Sequence, residues 1–242
     1  RTHRGAHPED KRLFAFECRD DLRGATADLS WLLSRNYAID AALKLVGDRY
    51  RLRQRARQAV RRAACSDAER EARASRQCAP ETVAGRSLLI DGFNLLITLE
   101  AAIGGGPVLG CRDGCVRDLS SIHGSYRRVE ETDQALELAG RRLSDLAPAR
   151  VTWLLDRPVS NSGRLAEHIE AMAAENGWPW SVELDFNPDR RLVERAQPPD
   201  GPIAVTSDAT ILDAGVQWLN LACDVIACSI PGAWMLDLST LV

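Results

Sequence analysis

Apolar positions follow two rhythms along the chain. Through residues 22–63 they recur at steps of three and four. Leu22, Ala25, Leu29 and Leu32–Leu33 form one series. Ala38, Ala41–Ala42, Leu45 and Val46 form a second, which ends near Gly47; Leu52, Ala56, Ala59–Val60 and Ala63 form a third. That spacing puts each series on one face of an α-helix. A fourth helix is expected from Ser66, where Glu69 stands three residues on as the partner of a capping box. Its acids, Asp67 and Glu69, come early, and Arg70, Arg73 and Arg76 come late, as the helix macrodipole favours.

Past residue 86 short apolar runs alternate with helical spacing. Strands are expected at Ser87 to Ile90, Val151 to Leu155, Val182 to Phe186, Ile203 to Thr206 and Ala233 to Leu238. Between them, Leu136, Ala139, Leu143 and Leu146 keep helical spacing. So do Leu165, Ile169, Met172 and Ala173, with Gly177 as the stop, and Val216, Leu219, Cys223, Ile226 and Ile230. Asp91 to Asn94 breaks the first strand, and Gly104 to Pro107 reads as a flexible loop. The expected fold is α/β, a mostly parallel sheet with helices on both faces, preceded by a small all-α region. The expected domains are residues 1–80 and 86–242, joined across Cys78 to Arg86 with Pro80 and Gly85 as punctuation.

With 242 residues, 45% of them hydrophobic, the chain can bury a sizeable core. It has no uncharged apolar run of about 18 residues, so no membrane partner is expected. The most apolar stretch, Trp218 to Leu238, is broken by Asp224 and Pro231-Gly232. No basic-then-apolar leader opens the sequence at Arg1. Seven cysteines, an odd number without a Cys-x-x-Cys pair, read as free thiols in a reducing cytoplasm. A zinc site on Cys111, Cys115 and His123 would lack a fourth ligand.

The net charge of −3 hides an asymmetry. Residues 1–85 carry 18 basic and 12 acidic side chains, and the remainder is net acidic. Only Lys11 and Lys44 are lysines. Arginine suits bidentate phosphate contacts, although base composition of the genome also favours it. The third helix carries Arg51, Arg53, Arg55, Arg57, Arg61 and Arg62. It is either the contact face of a nucleic-acid-binding module, with Arg53, Arg57 and Arg61 on phosphates, or a solvated face.

Three strands end in aspartate: Asp91, Asp156 and, after Thr206-Ser207, Asp208. Ligands of open parallel sheets bind outside the carboxyl ends of the strands. Carboxylates gathered there repel one another and call for a counter-charge, which Mg²⁺ or Mn²⁺ supplies through oxygen ligands. Such a site suits phosphodiester hydrolysis. Each aspartate alone is as well explained as a turn former or helix cap.

Leu88-Leu89-Ile90-Asp91-Gly92-Phe93-Asn94-Leu95 resembles the opening strand and motif of PIN-like nuclease domains, particularly the NYN branch. Val205-Thr206-Ser207-Asp208 resembles their late acidic motif. The likeness covers about residues 86–242. The whole chain resembles a prokaryotic family that couples such a domain to a small helical one. The resemblance implies a metal-dependent endonuclease acting on RNA, with Mg²⁺ or Mn²⁺ as cofactor. Asp91 would be the first metal ligand, and Asn94 would orient it or contact substrate. Asp208 would be the late ligand, and Asp156 a ligand or water holder. A further acid is expected on an intervening helix, at Glu130 or Glu131, with Asp113 and Asp118 as rivals; Asp213 either joins the site or caps a turn.

Substrate contacts are expected from Ser160, Asn161, Ser162 and Arg164, which lead into a helix whose start can hold phosphate, and from His123, Arg127 and Arg128. Ser162 is equally an ordinary N-cap. Trp178-Pro179-Trp180 is either core or a stacking platform for bases. Two other readings compete. A phosphohydrolase on another scaffold would need an Asp-x-Asp pair, which Asp91-Gly92-Phe93 lacks. A non-catalytic nucleic-acid-binding adaptor would leave the carboxylates apart.

Overall fold

A computed structural model describes residues 3–120 and 126–239. Five helices open the described chain: α1 (Asp10–Leu13), α2 (Arg19–Leu33), α3 (Ile39–Arg49), α4 (Gln54–Ala63) and α5 (Asp67–Ala74). The three expected apolar faces meet in one core. Leu22, Ala25, Leu29, Ala42, Val46, Ala56, Ala59, Val60 and Ala63 are all buried in it. Alanines on α4 let its backbone approach α2 and α3 closely. The capping box at Ser66 is present: its hydroxyl accepts from the Glu69 N–H at 3.2 Å, and the Glu69 carboxylate accepts from the Ser66 N–H at 2.7 Å.

The α/β region follows as β1 (Ser87–Asp91), α6 (Gly92–Ile103), β2 (Val108–Gly110), β3 (Val116–Asp118), α7 (Glu131–Leu146) and β4 (Arg150–Asp156). It continues with α8 (Ser162–Asn176), β5 (Trp180–Asp185), α9 (Pro188–Arg195), β6 (Ile203–Val205), α10 (Ala209–Asp213), β7 (Trp218–Leu219), α11 (Leu221–Ser229) and β8 (Met235–Asp237). Five strands form one parallel sheet in the order β5-β4-β1-β6-β7. The alternating pleat of β1 shows both faces covered. Leu88 and Ile90 join the core under α6, α7, α8 and α11, while Leu89 faces α9 and α10 with Leu154 and Ala204. This is the expected layering of helices on both faces of a parallel sheet.

A second sheet, ordered β3-β2-β8, was not expected. Its strands are three residues long, too short for alternation to register. Leu109, Cys111, Leu119, Leu236 and Leu238 from this segment pack into the core of the N-terminal helices. The small sheet thus joins the two regions.

Three further expectations are corrected. The helical spacing from Val216 is split: Trp218–Leu219 pairs as an edge strand with β6, and the helix begins only at Leu221. The strand expected over 233–238 is shorter and pairs with β2 rather than with the main sheet. Asp91 to Asn94 breaks the strand as expected, but it does so by opening a helix that the sequence reading did not mark, α6, which is buried along nearly its whole length. A helix buried on every side shows no amphipathic period. Gly92 makes that sharp entry possible, because a Cβ there would lie 2.5 Å from a Leu155 methyl and 2.8 Å from the Leu154 carbonyl oxygen.

A buried ionic network clamps the regions together. Arg73 of α5 donates to Asp113 at 2.6 Å and forks onto both oxygens of Asp213 at 2.8 Å. Arg117 of β3 forks onto Asp113 at 2.9 and 2.7 Å. Despite the desolvation of burial, the two guanidiniums hold the Asp113 carboxyl below its usual range. Removing one member of a buried pair strands the others. Asp113→Ala is therefore expected to cost about 3–5 kcal/mol, read as a lowered urea midpoint; an unchanged midpoint would refute the clamp.

Candidate active site

The order of strands reverses beside β1. The chain moves from β1 to β4 and β5 on one side, then returns to place β6 and β7 on the other. Such a switch point opens a crevice at the carboxyl ends of the two central strands. Asp91 ends β1, and Thr206, Ser207 and Asp208 follow β6 directly. The Thr206 hydroxyl donates to Asp91 Oδ2 at 2.8 Å. The Ser207 N–H and hydroxyl both donate to Asn94 Oδ1, at 3.0 and 2.9 Å. The Asn94 carbonyl end is thereby fixed, leaving its amide N–H groups as the available end. Asp208 accepts from the Thr210 N–H at 2.7 Å, capping α10.

A cleft of about 750 Å³ opens here. Asp91, Asn94, Asp156, Ser207 and Asp208 line its floor, while Arg61 and Arg62 of α4 and Arg73 of α5 stand on the wall made by the N-terminal helices. Asp189 also lines it, an acid that the sequence reading missed. It sits in the first turn of α9, just beyond β5, so it is a fourth strand-end carboxylate. The signal was Asn187-Pro188-Asp189 after the alternating strand: Asn187 caps the helix by accepting from the Arg190 N–H at 3.1 Å, and Pro188 opens it.

The electrostatics of the floor are one-sided. Burial raises the Asp91 carboxyl to a pKa of about 7, with repulsion from Asp189, Asp208 and Asp156 adding to it and the Thr206 hydroxyl opposing it. Burial also raises Asp156. Burial, then Asp208 and Asp156, raise Asp189. The leading influences on all three are burial and, for Asp91 and Asp189, neighbouring carboxylates, with no basic side chain among them. The donor set is all carboxylate oxygen, which suits a hard divalent cation. Among the described residues, no three His, Cys, Asp or Glu side chains are grouped closely enough to enclose a metal ion. Mg²⁺ takes one or two carboxylates and keeps several waters, so separated carboxylates still fit it through a hydrated shell.

Of the other expected acids, some lie away from the cleft and others line it with their carboxylates already engaged. Glu130 is exposed and faces His3 at 3.4 Å. Glu131 is buried and accepts from the Arg4 N–H at 3.2 Å. Asp113 is consumed by Arg73 and Arg117. Asp118 does line the cleft, but its carboxylate accepts from the Thr98 hydroxyl and the Ser120 N–H. Asp213 lines it too, locked by Arg73 rather than capping a turn.

The loop before α8 turns inward. The Asn161 amide donates to the Tyr126 carbonyl at 2.9 Å, the Ser160 carbonyl accepts from the Tyr126 N–H at 3.2 Å, and the Ser162 hydroxyl donates to the Val159 carbonyl at 2.6 Å. Ser162 is therefore not the N-cap, a place taken by Asn161. Arg164 is exposed on the helix and lines no part of the cleft. Arg128 pairs with Asp133, and the Arg127 carbonyl accepts from Arg4. Arg53 pairs with Glu9, and Arg57 holds the Leu52 carbonyl and Asp48. Of the three arginines expected on phosphates, Arg61 alone faces the cleft; its partner Asp40 is exposed. Trp178 packs over Gly140 and against Trp180, which meets Trp153 in the core, so it is a packing residue. His123 lies outside the described residues. All seven cysteines are unbridged.

Comparison with known proteins places this arrangement. The pattern described as Domain of unknown function (DUF5616) matches residues 80–224, more than half of the chain. The chain belongs to the DUF5616 family. A second pattern, Protein of unknown function (DUF434), matches residues 21–76. The cleft of this DUF5616 member therefore lies between the two matched regions. The chain is similar to the "Uncharacterized protein MJ0935" of Methanocaldococcus jannaschii, 34% identical over 188 residues, which cover 78% of this chain and 87% of that one. No solved structure matches it. Among the described residues, no helix is long and apolar enough to cross a membrane.

The raised Asp91 has a consequence for stability. Its proton leaves the unfolded chain near the ordinary carboxyl value but leaves the folded chain only near pH 7. The folded state binds more protons in that window, so stability falls as pH rises from about 4 to 7. Asp91→Asn keeps an acceptor for Thr206 and removes the charge. It is expected to stabilise the metal-free protein at pH 7.5 by about 1–3 kcal/mol and to flatten that pH dependence in thermal melts. A destabilised variant would show that the carboxylate is not held against its will.

Proposed function

We propose that this protein is a metal-dependent endonuclease, with RNA as its substrate and a PIN-like domain of the NYN branch as its catalytic part. The reading is carried by one observation: four carboxylates at successive strand ends line a single cleft whose opposite wall bears arginines. A floor that attracts divalent cations and a wall that attracts phosphate are the two parts that phosphodiester hydrolysis requires.

One or two of the cleft carboxylates Asp91, Asp156, Asp189 and Asp208 would hold Mg²⁺ or Mn²⁺ through a hydrated shell. The bound ion would supply positive charge beside the scissile phosphate and make a nearby water more acidic. The chain's own groups prepare the site. Thr206 holds Asp91, and Ser207 holds Asn94 so that its amide N–H groups are the end left for a phosphate or sugar oxygen. Arg61 is the wall arginine best placed to exchange onto phosphate, because its pair with the exposed Asp40 contributes little. Unbridged cysteines fit a reducing compartment, and we place the protein in the cytoplasm on that ground.

The separation of the carboxylates favours one alternative, a non-catalytic nucleic-acid-binding adaptor with a degenerate site. Purified protein incubated with labelled stem-loop and single-stranded RNAs separates the two. Cleavage is expected with Mn²⁺ or Mg²⁺, is abolished by chelator, and falls at least about 100-fold in Asp91→Asn, Asp189→Asn and Asp208→Asn. Arg61→Ala is expected to raise KM more than it lowers kcat. Binding without cleavage under all metals would select the adaptor.

A further inference from the structure

We propose that Phe186 is a stacking platform for an unpaired base, so that the cleft takes single-stranded nucleic acid rather than duplex. The inference rests on the nuclease reading and narrows its substrate. In the sheet register Asp156 stands opposite Asp185. The next residues, Arg157 and Phe186, therefore emerge side by side at the carboxyl ends of β4 and β5. The Arg157 N–H fixes this pair by donating to the Asp185 carbonyl at 2.7 Å. Three residues beyond Phe186, Asp189 lines the carboxylate cleft. Phe186 is thus placed at the same end of the sheet as the cleft, one residue past Asp185 and three before the cleft-lining Asp189.

Phe186 is 73% exposed although the strand pattern marks it as a core position. The Arg157 guanidinium lies 5.2 Å from its centroid, a cation–π contact that orients the ring without burying it. Among the described residues no carboxylate stands within 4 Å of that guanidinium. A cation and an open aromatic face at the same end of the sheet as the proposed phosphate cleft are elements of sequence-tolerant single-strand binding. Bases inside a duplex keep their faces stacked on one another and have none to offer.

Binding separates this proposal from the catalytic one. In the Asp208→Asn background with Mg²⁺, fluorescence anisotropy would follow a 12-nucleotide single-stranded RNA, an abasic strand of the same length and a blunt duplex. The full chain is expected to bind the RNA about tenfold more tightly than the abasic strand or the duplex. Phe186→Ala is expected to erase the difference between the RNA and the abasic strand, and Phe186→Trp to restore it. Equal affinity for RNA and abasic strand in the parent protein, tighter binding of duplex, no measurable binding of any strand, or unchanged discrimination in Phe186→Ala would each overturn the proposal. A protein that never cleaves RNA yet shows this discrimination loses the nuclease reading and keeps the platform.

Discussion

The parallel pairing of β1 between β4 and β6 is the constraint on which the rest depends. β1 is flanked on both edges, so its backbone is satisfied by Val151, Trp153 and their neighbours on one side and by Ile203 to Val205 on the other. Its side chains are buried on both faces. A strand so enclosed can end only at the sheet boundary, and Asp91 marks that point. Because β6 enters from the opposite direction of strand progression, its own end falls beside Asp91 rather than at a distant edge. The hydrogen bonds from Thr206 and Ser207 then follow from register.

That placement has an energetic cost which the surrounding structure does not relieve. Four carboxyl groups line one cleft, and two of the arginines that line it with them are engaged by other acids. Arg73 and Arg117 are bound to Asp113 and Asp213, and Arg117 also donates to the Ser207 carbonyl at 2.7 Å. The same guanidinium therefore fixes the loop that carries Asp208 while neutralising a different acid. Separating structural from uncompensated carboxylates in this way leaves the floor negative by design of the packing, a condition that functional sites maintain and that folding alone would not favour.

The helical region is part of the same construction. Its apolar core is completed by the small sheet, and its α4 supplies the wall that faces the carboxylates. Several of its arginines are spent on contacts within the protein: Arg55 on the buried Asp10, Arg57 on the Leu52 carbonyl, and Arg62 across to the Asp118 and Ser120 carbonyls of the α/β region. The basic surplus of residues 1–85 is thus in part structural. A count of arginines overstates the surface offered to phosphate, and the orientation of Arg61 matters more than the number.

The sequence by itself determined the local structure wherever a pattern was one-sided. The amphipathic faces of α2, α3 and α4, the capping box at Ser66, and the apolar runs of β1, β4 and β6 are properties of neighbours in the chain. Asp91, Asn94, Asp156 and Asp208 were visible for the same reason, since each follows a run that can only be a strand. What the tertiary structure decided is what depends on partners far away. The largely apolar α6, buried on nearly every side, has no clear period to read, and the small sheet is completed only where β8 returns from far along the chain to pair with β2. Asp189 joined the site and Glu130 and Glu131 left it because sheet order, not spacing, chooses which carboxyl ends converge. Arg53, Arg57 and Arg61 look alike in sequence; a guanidinium bonds to whichever acceptor the fold brings within reach.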